Sequence, residues 1–190
     1  SVKQRVMFCY NAVIRQFMID HDGYECNEDN GEFMVAFKSP VRACYWAIAV
    51  HISFLKMDWS KEPKAVSDAL KELGSLLGIG IHSGIPEAIR PHALTGRADY
   101  FGSFVNLAAR VGQECEEGDV FLSSSAFQNL PAEHNLKVDV GEKVNLRGIQ
   151  DKVQLYELLV PEDANVEAKD HEYAKWKKFE VDSEQKRGGK

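Results

Sequence analysis

The apolar residues near the start of the chain follow a helical pattern. They are four, three and four residues apart, as on one face of an amphipathic α-helix. These positions are Val6, Tyr10, Val13 and Phe17. The pattern predicts a helix over residues 3–22, and Gly23 lies where a helix often ends in a left-handed conformation.

Two short extended segments follow this helix and are separated by a turn. They cover residues 24–27 and 33–37, and the dipeptide Asn30-Gly31 lies between them. Because Asn and Gly both tolerate a positive φ, this dipeptide is among the strongest local signals of a β-hairpin. The sequence therefore predicts an antiparallel pair of strands directly after the first helix.

A second helical pattern begins after Ser39-Pro40 and runs to about Met57. Its apolar stripe consists of Val41, Tyr45, Ile48, Ile52 and Leu55. Since a helix at the protein surface buries its apolar stripe against the core, we expect this stripe to be the buried face.

The remainder of the chain alternates short apolar segments with glycine, proline and serine. We expect a short helix over residues 66–73, a strand over 76–82, a loop over 84–100 and a tightly packed helix over 101–111. Further strands are expected over residues 119–122, 136–140, 143–146 and 153–160. Helices that are segregated from a largely antiparallel sheet indicate the α+β fold class.

The composition excludes several classes of protein. The 190 residues include 23 basic and 29 acidic side chains, and the net charge of −6 argues against binding to nucleic acid. No segment has the roughly 18 consecutive apolar residues of a membrane-spanning helix. The four cysteines are widely spaced, so we expect no disulfide framework and a cytoplasmic location. The chain does not begin with Met, and we expect it to be the cytosolic part of a larger protein.

The composition changes at Pro161. Residues 161–190 contain 8 acidic and 7 basic side chains, which is typical of a solvated tail. Tyr173, Trp176 and Phe179 are spaced three apart, so a short docking helix is the alternative. We therefore divide the chain into a domain of residues 1–160 and a charged tail of residues 161–190.

The segment from Thr95 to Arg110 is the strongest candidate for chemistry. It reads TGRADYFGSFVNLAAR, and Asn106 and Arg110 are one helical turn apart on one face. An amide and a guanidinium in this arrangement suit a site that orients a sugar or a polyphosphate. Asp99 lies between two glycines before this helix, and its carboxylate can accept a hydrogen bond from an amine such as that of adenine. A solvated helix face is the alternative interpretation.

This segment closely resembles the class III nucleotidyl cyclase catalytic domain, and it is most similar to the adenylate cyclases of fungi, algae and protists. Five further blocks agree in the same order, namely HDGYE, FMVAF, Asp58-Trp59, GIGIHSG and NLRGIQDKVQLYEL. The resemblance extends over about residues 3–160. It implies a ferredoxin-like antiparallel sheet with helices packed on it, and the conversion of ATP to cyclic AMP and pyrophosphate.

The resemblance also implies roles for single residues, at a site shared by two domains that pair head to tail. Asn106 would orient the ribose, and Arg110 would stabilise the transition state. Asp99 would read adenine, and Arg147 would meet the terminal phosphates. Asn27 stands where the family has a base-reading lysine, and its amide could donate a hydrogen bond to adenine.

The metal-binding positions depart from the family pattern. Two aspartates of the family hold Mg²⁺ or Mn²⁺, and one of their positions is Gly31 in this chain. No metal site is evident, and Asp29 and Glu32, which lie near that position but out of register, are the remaining metal candidates. The other aspartate belongs to a strand ahead of the first helix. We expect that first strand to be missing from this chain.

Two functions are open at this point. The first is the substrate-reading half of an adenylate cyclase homodimer or heterodimer, with ATP as substrate and with Mg²⁺ or Mn²⁺ held mainly by a partner protomer. The second is a catalytically inactive cyclase-fold module that serves as a binding, scaffolding or regulatory partner.

Overall fold

The computed structural model describes residues 1–91, 96 and 98–161. The predicted tail from residue 162 onwards, with Tyr173, Trp176 and Phe179, lies outside the described residues, as do Thr95 and Arg97. None of the described helices is long and apolar enough to cross a membrane.

The described elements alternate between helices and short strands. In chain order they are α1 (Val2–Asp20), β1 (Tyr24–Asp29), β2 (Glu32–Ala36), α2 (Pro40–Lys56), α3 (Lys64–Ser75), β3 (Ile79–Ile81), β4 (Ala88–Pro91), β5 (Ala98–Phe101), α4 (Ser103–Gln113), β6 (Val120–Ser123), α5 (Ser124–Gln128), β7 (Val138–Val144) and β8 (Val153–Leu158). A 3₁₀ turn, Trp59–Lys61, lies between α2 and α3.

The strands of the described part form three sheets. The largest has four strands in the order β3-β6-β8-β7, in which β3 and β6 are parallel and the other neighbours are antiparallel. β1 and β2 form the predicted hairpin, and β4 and β5 form a separate antiparallel ribbon. Helices pack on these sheets, so the α+β fold class predicted from the sequence is confirmed.

The main hydrophobic core includes buried residues of α1, α2, α3, β3 and β6. Phe54 lies at its centre, with its ring centroid 5.5 Å from that of Tyr10 and 6.2 Å from that of Trp59. Leu70 of α3 is fully buried in the same cluster. Aromatic side chains bury large apolar areas, and these contacts therefore hold the three helices together as one layer.

The buried face of α2 differs from the predicted one. Ile52 of the predicted stripe is buried, but Tyr45 and Leu55 are 38% and 64% exposed. The residues of α2 in the core cluster are Ala43, Cys44, Trp46, Ala47, Val50 and Phe54. Because α2 is apolar on most of its circumference, the spacing of apolar residues does not determine which face is buried. The prediction of the buried stripe was therefore wrong for Tyr45 and Leu55, whereas Val41 and Ile48 pack against the core as expected.

The segment predicted as a loop over residues 84–100 contains β4 and part of β5. Their register pairs Ala88 with Phe101 and Arg90 with Asp99. A strand of four residues between proline and glycine shows too little alternation to be recognised in the sequence. The correction matters because it places Asp99 on a paired strand instead of in a loop.

β7 is one strand where the sequence predicts two. The pairing with β8 continues on both sides of an irregularity between Val140 and Lys143. The side chain of Gln154 donates a hydrogen bond to the carbonyl oxygen of Gly141 at 2.6 Å within this irregular part. A bulge of this kind bends a strand without ending it.

A close contact between two glycines fixes α4 on the four-stranded sheet. Gly80 is the middle residue of β3, and a Cβ atom there would lie 2.1 Å from the backbone nitrogen of Gly112 in α4. Only glycine fits at this position. A Cβ atom on Gly112 would lie 3.6 Å from the nitrogen of Gly80, which is an ordinary contact. The block GIGIHSG therefore contains a strand whose glycine determines the position of α4.

Candidate active site

The β5–α4 segment carries three of the predicted site residues. Asp99 lies on β5, four residues before α4 begins, and Asn106 and Arg110 lie one turn apart on α4. Asn106 is exposed, and the half-buried Arg110 donates a hydrogen bond from Nη1 to Oε1 of Gln113 at 2.9 Å. The amide and the guanidinium therefore extend from the same side of the helix, as the sequence predicts.

The junction between β5 and α4 depends on Gly102 and Glu87. Gly102 has a φ of +131° and a ψ of 177°, a conformation that is essentially restricted to glycine. The carboxylate of Glu87 accepts hydrogen bonds from the backbone nitrogen and the hydroxyl of Ser103, and these bonds lower the pKa of Glu87. No local pattern in the sequence indicates this role of Glu87, because Glu87 lies far from Ser103 along the chain.

A second apolar cluster places Arg147 beside α4. It contains the buried residues Val111, Leu146 and Leu155, which come from α4, the β7–β8 connection and β8. Arg110 directly precedes Val111, and Arg147 directly follows Leu146. Arg110 and Arg147 therefore lie on neighbouring parts of the backbone. Two cationic groups in this arrangement suit a polyphosphate ligand.

The β1–β2 hairpin meets the β4–β5 ribbon next to the candidate site. The hydroxyl of Tyr24 donates a hydrogen bond to the carbonyl oxygen of Ala98 at 3.2 Å. The rings of Tyr24 and Tyr100 pack edge to face with their centroids 6.3 Å apart. Both contacts join β1 to β5, so the hairpin lies beside the strand that carries Asp99.

A β-bulge in β1 affects the residue predicted to read the base. Glu25 and Asn27 pair with consecutive residues of β2, which makes Cys26 the extra residue of the bulge. Burial, together with the negative charge of Asp99, raises the pKa of the Cys26 thiol to about 11. Cys26 therefore lies within electrostatic reach of Asp99, whereas Asn27 is exposed. Cys26 was not among the site residues predicted from the sequence.

The turn of the hairpin does not supply the metal ligand that the resemblance leads one to expect. Asn30 and Gly31 have φ values of +52° and +91°, as in a two-residue hairpin turn. Asp29 accepts a hydrogen bond from Nδ2 of Asn30 at 2.8 Å, and Glu32 pairs with Asp29 across the turn. Within residues 1–91, 96 and 98–161, no three His, Cys, Asp or Glu side chains form a group that could hold a metal ion. The residues of this hairpin do not fit a metal site.

Arg15 of α1 binds the other carboxylates of the hairpin. Its guanidinium donates two hydrogen bonds to Glu25, at 2.7 and 3.0 Å, and lies 3.7 Å from a carboxylate oxygen of Glu28. The other oxygen of Glu28 accepts a hydrogen bond from the backbone nitrogen of Gly31 at 2.9 Å. These contacts use the acidic side chains to fasten the hairpin to α1. Arg15 was not predicted from the sequence, because no local pattern connects it to the hairpin.

Comparison with known proteins agrees with the resemblance. The family model of the adenylate and guanylate cyclase catalytic domain matches residues 6–160. The chain is 28% identical over 179 residues to receptor-type adenylate cyclase GRESAG 4.1 of Trypanosoma brucei brucei, and 30% identical over 142 residues to an adenylate cyclase of Lachancea kluyveri. These alignments include 78% and 68% of this chain. They span only 14% and 8% of the length of the two relatives.

A solved structure of adenylate cyclases from Trypanosoma brucei in their monomeric state is similar in fold. It is 25% identical in sequence and superimposes with a TM-score of 0.74. The superposition covers 87% of this chain and 82% of the other. A guanylyl cyclase, Cya2, has the same fold at 20% identity and a TM-score of 0.66.

Proposed function

The chain belongs to the family of adenylate and guanylate cyclase catalytic domains, and we propose that it is the substrate-reading half of an adenylate cyclase dimer. In this reaction the 3′-hydroxyl of ATP loses its proton, its oxygen bonds to the α-phosphorus, and pyrophosphate leaves as cyclic AMP forms. Residues 1–160 would form the catalytic-type domain, and residues 161–190 would form a charged tail.

The observation that carries the proposal is the rigid support of the β5–α4 segment. Asp99, Asn106 and Arg110 follow one another on two adjoining elements. The start of α4 is bonded to Glu87, and its end packs against Gly80. A cationic group that is held in place stabilises developing negative charge without a reorganisation cost at the moment of reaction. This support suits Arg110 to the transition state and Asn106 to the ribose.

Asp99 would select ATP over GTP. A carboxylate accepts a hydrogen bond from the exocyclic amine of adenine, whereas guanine presents a carbonyl oxygen at the equivalent position and is repelled. Asn27 would add a neutral donor from β1, which lies beside β5. Arg147 would bind the terminal phosphates. The adenylate cyclases among the relatives support the same choice of substrate.

A partner domain would complete the site. Because the described hairpin does not fit a metal, Mg²⁺ or Mn²⁺ would be held mainly by the partner, which favours a heterodimer over a homodimer. The ribbon that carries Asp99 and the segment just before it also expose apolar side chains, since Ile85, Ile89 and Phe101 are 88%, 58% and 45% exposed. Exposed apolar surface next to a polar site is typical of a protein interface.

Complementation tests this function. The chain is mixed with a cyclase domain that carries both metal-binding aspartates but whose own transition-state arginine has been replaced. Neither protein alone should form cyclic AMP, and the mixture should form it with the help of Arg110. Arg110→Ala should lower turnover by about 10²–10³-fold, the usual effect of losing one charge-stabilising donor. Arg42→Ala, which changes an exposed arginine of α2, is the matched control.

The absence of cyclic AMP from mixtures with several such partners would overturn the proposal. A catalytically inactive binding or regulatory module is then the second candidate, favoured by the hairpin carboxylates that Arg15 binds. Calorimetry with a non-cyclising ATP analogue and Mn²⁺ separates the two functions. Binding of the analogue by the mixture supports the half-site, and no binding supports the inactive module.

A further inference from the structure

The start of α4 has no side-chain cap of its own. Its N-cap residue is Gly102, which has no side chain to accept a hydrogen bond from the backbone N–H groups of the first helical turn. Glu87, which directly precedes β4, supplies that acceptor from another part of the chain. Its Oε1 atom lies 2.8 Å from the backbone nitrogen and 2.7 Å from the hydroxyl oxygen of Ser103, and both of these groups donate to it.

The backbone and the side chain of Glu87 both contact the junction between β5 and α4. The backbone nitrogen of Glu87 donates a hydrogen bond to the carbonyl oxygen of Phe101 at 3.0 Å, which extends the pairing of the β4–β5 ribbon. A Cβ atom on Gly102 would lie 2.8–2.9 Å from three carbon atoms of the Glu87 side chain. The glycine therefore leaves the space that this side chain fills. A negative charge is also favourable at a helix N-terminus.

We propose that Glu87 is a positioning residue that fixes the start of α4 and thereby the places of Asn106 and Arg110 relative to Asp99. The roles of those three side chains rest on the proposed function. Gly80 lies against the far end of α4, and Glu87 supplies a hydrogen-bonding contact at the end nearer Asp99. Glu87 is exposed, and its carboxylate makes this contact outside the hydrophobic core.

Amide hydrogen exchange of the intact chain without nucleotide tests the contact itself. Glu87→Ala removes the acceptor, and exchange of residues 103–106 should become about fivefold faster, the effect of losing a typical helix cap. Glu87→Gln keeps an acceptor oxygen at the same place, so its exchange should stay close to that of the original chain. Glu133→Ala, at an exposed glutamate after α5, is the matched control. Unchanged exchange in Glu87→Ala would overturn the inference.

Catalysis in the complementation mixture tests the positioning. Glu87→Ala should lower kcat by about tenfold or more with a small change in KM, because Arg110 acts chiefly in the transition state and small displacements are costly. Glu87→Gln should restore most of the activity. Equal kcat values for Glu87→Ala and the original chain would show that the contact positions nothing of catalytic importance.

Two further outcomes are informative. If Glu87→Ala does not fold, Ser103→Ala removes the hydroxyl donor alone and should show a smaller change of the same kind. If the original chain forms no cyclic AMP in any mixture, the proposed function has failed. The exchange measurement then still decides whether Glu87 fixes α4.

Discussion

The β1–β2 hairpin and the β5–α4 segment lie side by side, yet their polar residues are used in different ways. In the hairpin, acidic side chains bind Arg15, Asn30 or the turn backbone. In the β5–α4 segment, Asn106 is exposed on the surface, and the support comes from Glu87 and Gly80 outside the segment. The acidic side chains of the hairpin are therefore used to hold the hairpin in place, whereas α4 is held by residues outside it and Asn106 stays exposed.

This difference shows in which part of the candidate site a residue can be substituted with little loss of stability. A hairpin turn is a local structure, and Asn-Gly forms it well whatever the rest of the molecule does. The position that the resemblance assigns to a metal ligand can thus hold a good turn residue, Gly31, while the strands still pair. α4 has less freedom, because only glycine fits at position 80 and because the start of the helix is bonded to the side chain of Glu87 from outside the helix.

The largest expected effect concerns the support of α4. Gly80→Ala should lower the free energy of unfolding by about 3 kcal/mol, because the new Cβ atom would collide with the backbone of Gly112. Gly112→Ala places its Cβ in ordinary contact and should have no effect or stabilise the helix by up to about 1 kcal/mol. Urea denaturation of both variants measures the difference between their free energies of unfolding. Equal losses would show that this contact does not fix α4.

An intermediate effect is expected at the hairpin turn. Gly31→Asp should cost about 1–2 kcal/mol, because the φ of +91° is unfavourable for an L-residue. Gly31→Ala should cost about as much, since the strain does not depend on the carboxylate. Denaturation measures the loss, and calorimetry with Mn²⁺ should detect no new site in Gly31→Asp. Tight Mn²⁺ binding at unchanged stability would mean that the hairpin is still prepared for a metal.

The smallest expected effect concerns the electrostatic contact between the hairpin and the β5–α4 segment. Burial first and the charge of Asp99 second raise the pKa of Cys26 to about 11. Asp99→Asn removes the negative charge, so the pKa should fall and more thiolate should be present at mildly alkaline pH. Alkylation of Cys26, measured by mass spectrometry, should become faster. Asp139→Asn on β7 is the control. An equal alkylation rate in both variants would show that the charge of Asp99 does not influence the Cys26 thiol.

Local patterns in the sequence predicted much of this protein correctly. The helix over residues 3–22 is α1, Asn30-Gly31 forms the hairpin turn, and Asn106 and Arg110 share a face of α4. Each of these predictions depends on residues within about one turn of one another, where backbone geometry alone decides the outcome. The resemblance to the cyclase family is confirmed by the family match. The roles of the site residues stay predictions.

Only the tertiary structure decided the features that depend on distant residues. These features include the buried face of α2, the pairing of β4 with β5 and the contact of Arg15 with the hairpin. The tertiary structure also placed Glu87 at the start of α4 and Gly80 against its end. These contacts arise from packing between elements that are far apart along the chain, and no periodicity or turn signal in the sequence encodes them.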